Sequence, residues 1–159
     1  MVELTLVGVR VELPQNQPIV LLKEREGERY LPIWIGAAEA TAIALAMQGV
    51  EPPRPMTHDL FKDVLDELDV SLERIEITEL VDGTFFAVLR LSRNGATHEV
   101  SSRPSDAIAL AVRSSVPIFV SEDVLGEASV VIREDDAEEE VERFKQFLDE
   151  VSPEDFAEE

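Results

Sequence analysis

The chain has 159 residues, 45% of them apolar, and a formal net charge of −20. This length and composition suit one globular domain with a substantial core. The absence of cysteine excludes disulfides, thiolate metal sites and a cysteine nucleophile. The first residues lack a signal-peptide pattern, and no segment approaches the roughly 18 apolar residues of a membrane span. We therefore expect a cytoplasmic protein without a membrane segment.

The acidic charge is concentrated near the C-terminus. Residues 134–159 hold 13 acidic and 2 basic residues, which leaves 21 acidic and 12 basic residues in 1–133. Lysine is scarce, with 3 Lys against 11 Arg. This composition suggests either a halophilic protein or an acidic tail on a moderately acidic domain. In both cases the charge weighs against tight, electrostatically driven nucleic-acid binding, because it repels polyphosphates at low salt.

The first predicted elements are strands. Residues 2–13 alternate between apolar and polar side chains, and a change of phase at Gly8 predicts a bulge. Residues 19–25 and 29–35 predict a hairpin. Trp34, near the end of that hairpin, is most simply a core residue of a buried strand, and a surface for stacking a nucleobase is the alternative.

Two helices are predicted next, at residues 37–48 and 57–69. Thr57 is the expected N-cap of the second helix. The pattern places His58 on the outward, polar face. The opposite face is apolar and consists of Leu60, Phe61, Val64, Leu65 and Leu68.

The second half repeats this alternation of hairpins and helices. The predicted strands lie near 73–81, 84–93, 96–102, 117–121 and 130–132, with a helix at 104–114 and a helical turn at 123–128. A five-residue motif at 42–46 recurs at 107–111, which suggests an internal duplication of a hairpin-helix unit. These elements predict an α+β fold: a mixed, largely antiparallel sheet built from hairpins, with three packed helices.

The C-terminal segment differs from the rest. Residues 134–159 are Glu-rich, with apolar residues at helical spacing. We expect an acidic amphipathic helix that docks on the body or on a neighbouring subunit. The chain is therefore divided into a domain at 1–133 and an acidic helix and tail at 134–159.

The stretch Arg103-Pro104-Ser105-Asp106 begins a predicted helix. Pro104 suits the first helical position, and Asp106 at the third complements the helix dipole. Arg103 is different, because a guanidinium at the positive end of a helix requires an anion nearby. That anion is either a neighbouring carboxylate, such as Asp106 or Glu39, or a bound phosphate.

A second stretch, Arg54-Pro55-Met56-Thr57-His58-Asp59, has the same composition of cation, hydroxyl and carboxylate. His58 adds a general acid-base candidate whose unperturbed pKa lies near neutrality. A phosphodiesterase needs a base or metal to activate water and cations to hold the phosphate. The alternative is a solvated histidine in a helix cap.

At these residues the chain resembles the bifunctional nuclease family. The resemblance covers roughly residues 4–128 and is carried by four motifs, which are Tyr30–Gly36 with Glu39-Ala40, Arg54–Leu60, Asp82–Ala87 and Arg103–Ala111. It implies an α+β fold with a mixed sheet, self-association, and DNase and RNase activity like that attributed to plant members.

The leading hypothesis is therefore a nuclease of low sequence preference that binds nucleic acid weakly and forms a homo-oligomer. Its expected catalytic residues are His58, Asp59, Asp106 and Glu39. Its expected phosphate ligands are Arg54, Arg103, Thr57 and Ser105. If the site holds a divalent cation such as magnesium or manganese, the expected ligands are Asp59, Asp106 and Glu39. We expect these residues to converge in one cleft.

The alternative is a non-catalytic oligomeric module that binds a partner protein or a small anion. In that case the arginines of both stretches are tied by salt bridges to the protein's own acids. The excess of acidic over basic residues in 1–133 favours this alternative.

Overall fold

The fold is α+β, as predicted, and is described by a computed structural model for residues 1–12 and 16–132. Within these ranges the strands are β1 (Val2–Glu12), β2 (Gln17–Glu24), β3 (Arg29–Trp34), β4 (Ser71–Val81), β5 (Thr84–Arg93), β6 (Ala96–Ser102), β7 (Ile118–Val120) and β8 (Val130–Val131). The helices are α1 (Ala37–Met47), α2 (Thr57–Glu67), α3 (Pro104–Ser114) and α4 (Glu122–Ala128).

All eight strands form one mixed sheet with the order β6-β5-β4-β7-β1-β2-β3-β8. Neighbouring strands are antiparallel except β4 and β7, which are parallel. A three-stranded meander precedes α1, and a second one precedes α3. The repeated Ala-rich motifs lie in these two helices. This arrangement is the one that a duplicated unit would give, and the duplication itself stays a prediction.

Local sequence signals account for the bends and turns of the sheet. The register of β1 against β2 shifts between Leu6 and Gly8, which confirms the predicted bulge. Asp82 and Gly83 both adopt positive φ, 51° and 79°, as a tight two-residue hairpin turn requires. The turn thereby fixes the register of β4 against β5.

The core lies between the sheet and helices α1 and α3. Ile43 of α1 and Ile108 of α3 are fully buried in one cluster with Ile75 and Ile77 of β4. The two helices are rich in alanine where they meet, and small side chains let helices approach closely. This packing is what brings the first turns of α1 and α3 together.

The core assignment of Trp34 was wrong. Leu31 and Ile33 of β3 point into the core, and strand alternation sends Trp34 to the opposite face, where it is 54% exposed.

Helix α2 differs from its prediction in three ways. It contains no buried residue, so the other described residues leave its apolar face largely uncovered. Its N-cap is Met56, whose backbone is extended, and Thr57 is already the first helical residue. His58 does not face outward, because its side chain is only 14% exposed and contacts α3.

Helix α4 is a fourth helix where a turn was predicted. The hydroxyl of Ser121 accepts a hydrogen bond from the backbone N–H of Val124 at 3.2 Å and caps it. Among the described helices, none is long and apolar enough to cross a membrane. The predicted C-terminal helix at 134–159 lies outside the described residues.

Candidate functional site

Three helices begin at one place in this molecule. Glu39 lies in the first turn of α1, His58 in the first turn of α2, and Asp106 in the first turn of α3, where Arg103 is the N-cap. We call these four residues the helix-junction cluster. Because helix N-termini expose unsatisfied N–H groups and the positive end of the helix dipole, they favour carboxylates and other anions.

Arg103 links two of the helices. Its Nε donates to Oδ2 of Asp106 at 2.8 Å, and its Nη2 donates to Oε1 of Glu39 at 2.7 Å. The predicted anion beside Arg103 is therefore the protein's own carboxylates, and hydrogen bonds to both raise the pKa of Arg103. The side chain is still 65% exposed, so solvent and solutes can reach the guanidinium.

His58 and Asp106 form a close pair between α2 and α3. Nε2 of His58 lies 2.8 Å from Oδ1 of Asp106. Burial raises the pKa of Asp106, but hydrogen bonds from Arg103 and His58 outweigh it, and the pKa is lowered overall. An ionised carboxylate only accepts hydrogen bonds, so Nε2 of His58 carries the hydrogen. In the neutral imidazole, Nδ1 is then the basic nitrogen.

Glu39 is held against the turn that precedes α1. A Cβ atom added at Gly36 would collide with Oε2 of Glu39. The glycine therefore makes room for the carboxylate, whose side chain is 15% exposed. Replacing Gly36 by alanine would force the carboxylate of Glu39 to shift.

Asp59 belongs to a neighbouring contact rather than to the cluster itself. Its Oδ2 accepts the backbone N–H of Met56 at 3.0 Å, and its Oδ1 accepts Nε–H of Arg113 at 2.7 Å. Burial raises the pKa of Asp59, but the hydrogen bonds from Arg113 and Met56 lower it by more, so the net shift is downward. Asp59 therefore fixes the start of α2.

Arg113 is the residue that sequence reasoning missed. Its side chain is 10% exposed, and it also donates to the carbonyl oxygens of Ala109 (2.9 Å) and Ala42 (3.1 Å). It thereby joins α1, α2 and α3 behind the helix-junction cluster. Its only sequence signal is a basic residue in the last turn of α3, which the helix dipole explains equally well.

Comparison with known proteins assigns the chain to a family. The model of the bifunctional nuclease domain matches residues 20–133. The chain belongs to the bifunctional nuclease domain family. An uncharacterized protein of Mycobacterium tuberculosis strain H37Rv is 54% identical over 97% of both chains.

The plant relatives are more distant. Bifunctional nuclease 2 of Arabidopsis thaliana is 34% identical over 69% of this chain and 35% of its own length. Bifunctional nuclease 1 of the same plant is 33% identical over 65% of this chain and 33% of its own length. This chain therefore spans about a third of the plant proteins that it matches.

The remaining predicted site residues of this bifunctional nuclease domain lie in the loop before α2 and in the first turns of α2 and α3. Arg54 is exposed in the loop before α2, and it makes no hydrogen bond or ion pair with another described residue. Thr57 is exposed on the first turn of α2. Ser105 is 6% exposed and lies behind the cluster, so it is poorly placed to meet a ligand.

The carboxylates of the domain do not fit the expected divalent cation. Among residues 1–12 and 16–132 there is no group of three or more metal-ligating side chains. Both oxygens of Asp59 accept hydrogen bonds, as do both oxygens of Asp106, and Oε1 of Glu39 is bound to Arg103. A metal would have to displace arginines from the oxygens that magnesium or manganese prefers.

Proposed function

We propose that this domain hydrolyses phosphodiester bonds in DNA or RNA with low sequence preference, using His58 as its acid-base group. The observation that carries the proposal is the bond from His58 to Asp106, whose other oxygen binds Arg103. It combines an oriented imidazole with an exposed guanidinium, the two groups that a metal-independent phosphodiesterase needs. Membership of the family and the names of the plant relatives support this function.

The proposed chemistry starts with His58 neutral. Nδ1 takes a proton from a water molecule as its oxygen attacks phosphorus, and the P–O ester bond on the opposite side breaks. The leaving oxygen takes a proton from solvent water, and the imidazolium releases its proton to solvent to restore neutral His58. Asp106 keeps the ring oriented and stabilises its positive charge, which is the role of the carboxylate in other histidine-carboxylate pairs. Glu39 holds Arg103 in place.

The phosphate is bound by arginine in this proposal. Arg103 lies beside His58 and is accessible to solvent, so its guanidinium can neutralise charge that develops on phosphate oxygens. Arg54 precedes His58 by four residues and is the second candidate cation, and Thr57 offers a hydroxyl at the same helix start. We propose no role for Ser105.

One observation favours the alternative of a non-catalytic binding module. Arg103 already forms ion pairs with Asp106 and Glu39, so a phosphate must compete with two carboxylates for it. In a binding module, a phosphate would replace the carboxylates on Arg103 and would be released unchanged, because no bond would be broken. The two candidates differ in whether product forms.

The test compares purified wild type with the double variant His58→Ala, Asp106→Asn on single-stranded DNA and RNA, with and without a chelator. We expect wild type to cleave in the presence of chelator. We expect the double variant to lose about 10²-fold or more of the rate, because a positioned acid-base group contributes 10²–10⁴-fold. Equal residual cleavage by both proteins would refute the proposal. Binding without cleavage by wild type would favour the module.

A further inference from the structure

Trp34 is the only tryptophan of the chain, and the proposed reaction gives it no role. Its side chain lies on the face of β3 opposite the core and is 54% exposed. The indole therefore presents a large, flat apolar surface to solvent. Aromatic rings of this kind stack on nucleobases of any sequence, because every base has a π-face.

The backbone around Trp34 is held by the neighbouring strand β2. Trp34 is paired with Ile19 in the antiparallel register, and the next residue, Ile35, donates its N–H to the carbonyl oxygen of Pro18 at 3.0 Å. The carbonyl oxygen of Ile35 accepts a hydrogen bond from Nε2 of Gln17 at 3.2 Å. A side chain on a backbone held in this way loses little conformational freedom when a ligand binds to it.

Trp34 lies close to the helix-junction cluster. Gly36 follows it by two residues, and the carboxylate of Glu39 lies against Gly36. Nη2 of Arg103 in turn donates to Oε1 of Glu39 at 2.7 Å. These contacts place the guanidinium of Arg103 within about 16 Å of the Cα atom of Trp34. The indole and a nucleotide bound at Arg103 both extend into this distance, so a base of the same strand can reach the ring.

The segment that connects Trp34 to the cluster carries only small exposed side chains. Ile35 is buried, Gly36 has no side chain, and Ala37 and Ala38 are exposed at the start of α1. A nucleic-acid strand can therefore pass over the end of β3 close to the backbone, from the guanidinium on one face to the indole on the other.

Stacking also suits the charge of this chain. The formal net charge of −20 repels phosphates, so long-range attraction contributes little to nucleic-acid binding. Contact between a base and an aromatic ring does not depend on that attraction, and it tolerates any base. A site that combines an exposed arginine with an exposed indole therefore fits a nucleic acid that is bound weakly and without sequence preference.

We infer that Trp34 is the stacking platform for an unpaired nucleobase of the strand whose phosphate is bound at Arg103. The inference rests on the proposed function and specifies its substrate as single-stranded, because the bases of a duplex must first be unpaired and unstacked. Trp34 contributes to substrate binding in this scheme and takes no part in the reaction at phosphorus.

The first test measures the fluorescence of Trp34, which is the only tryptophan signal of the chain. It uses the His58→Gln variant, so that the strand stays intact, and two ligands of equal length: oligothymidylate and an abasic strand with the same phosphates. We expect oligothymidylate to quench the fluorescence and the abasic strand to leave it unchanged, since only bases stack on the ring. Quenching by neither strand, or equal quenching by both, would overturn the inference. Equal quenching by a duplex would overturn the assignment of a single-stranded substrate.

The second test measures the dissociation constant of labelled oligothymidylate by fluorescence anisotropy, in the same His58→Gln background. We expect Trp34→Leu to raise it about tenfold or more, and Trp34→Phe to raise it by less, because phenylalanine keeps an aromatic face. The ratio for Trp34→Leu should persist in molar salt, unlike that of an ionic contact. Phe86→Leu is the matched control, since Phe86 is 42% exposed on β5, near the opposite edge of the sheet, and we expect no change.

Three outcomes of these measurements would contradict the stacking site. One is an unchanged dissociation constant in Trp34→Leu. Another is a loss of affinity for the abasic strand as large as that for oligothymidylate, which would mean that Trp34 supports the fold of the phosphate site. The third is a Trp34 that acrylamide cannot quench in the free protein, which would mean that another segment or a second copy covers it. Base-dependent quenching without cleavage by wild type would keep the stacking site and refute the nuclease.

Discussion

Among the arginine–carboxylate clusters of the described residues, one lies at the helix junction and a second lies on the sheet, and of these two only the first contains an imidazole. The second, which we call the sheet cluster, consists of Arg74, Glu76, Arg90 and Glu99 on strands β4, β5 and β6. Glu76 is its centre and is 2% exposed. Arg90 donates to Glu76 at 3.1 Å and to Glu99 at 3.1 Å.

The positive and negative charges of the sheet cluster are equal in number. Arg74 forms an ion pair with the other oxygen of Glu76 at 2.7 Å, with an orientation that does not make a hydrogen bond, and its guanidinium lies 5.2 Å from the centre of the Phe119 ring. Two arginines balance two glutamates. Such a cluster ties neighbouring strands together, and it contains no imidazole.

The helix-junction cluster contains similar ion pairs but is not balanced. Glu39 and Asp106 face one arginine, Arg103, so protonation of His58 would neutralise the remaining charge. Three helix N-termini also meet there, which favours an additional anion. The comparison teaches that ion pairs alone do not identify a site. The imidazole, the unequal charge and the helix N-termini distinguish the helix junction from the sheet.

The largest expected effect comes from exchanging one acid in each cluster. Asp106→Asn should lower the rate of phosphodiester hydrolysis about 10²–10⁴-fold, because the amide no longer stabilises the imidazolium of His58. Glu76→Gln should change the rate per folded molecule by less than about threefold relative to wild type. Glu76 belongs to the sheet cluster, and loss of a catalytic interaction would have a larger effect. Initial rates, normalised to the folded fraction, measure both. Similar losses in the two variants would remove the distinction between the clusters.

The next effect concerns the residue that supports the helix junction. Arg113→Met should lower the free energy of unfolding by about 2–4 kcal/mol, since it leaves Asp59 without its ionic partner and removes the side-chain hydrogen bonds that tie α1 and α3 together. Urea denaturation measures the change.

Arg93→Met serves as the control for Arg113→Met. Arg93 is exposed at the end of β5, and a surface substitution of this kind usually changes stability by less than about 0.5 kcal/mol. Equal effects of the two substitutions would show that Arg113 does not hold the three helices together.

The smallest effect is expected at Arg54. Arg54→Ala should raise KM up to about fivefold with little change in kcat, because an exposed cation contributes about one kcal/mol or less to binding a phosphate. The difference in KM should shrink at higher salt. A loss of kcat without a change in KM would instead place Arg54 in the transition state.

Much of the fold could be predicted from local patterns. The turn at Asp82-Gly83, the bulge at Gly8 and the start of α3 at Pro104 depend on backbone preferences of single residues. The carboxylates that bind Arg103 were one of two predicted alternatives, the other being a bound phosphate, because a guanidinium at a helix N-terminus needs an anion and Asp106 is one turn away. In each case the structure depends on backbone preferences of neighbouring residues or on the charge at the start of a helix, and both can be recognised in the sequence.

The remainder depends on tertiary packing. The apolar pattern of α2 predicts which side chains share a face, but it does not say whether this chain covers that face. Strand alternation likewise does not determine which side of β3 packs against the core. The prediction placed Trp34 on the core side, whereas it lies on the opposite side. Arg113 and Asp59 are 54 residues apart in sequence, so nothing local indicates their pairing. The same holds for the inward rotation of His58 toward Asp106.

The most direct test of the proposed site uses the two histidines of the chain. His58 is held by Asp106, whereas His98 lies exposed on β6. His58→Gln and His98→Gln make the same chemical change, and the measurement is the rate of single-stranded nucleic-acid hydrolysis in the presence of a chelator. We predict that His98→Gln retains the wild-type rate and that His58→Gln loses about 10²-fold or more. Equal rates in the two variants would contradict the assignment of catalysis to the helix junction.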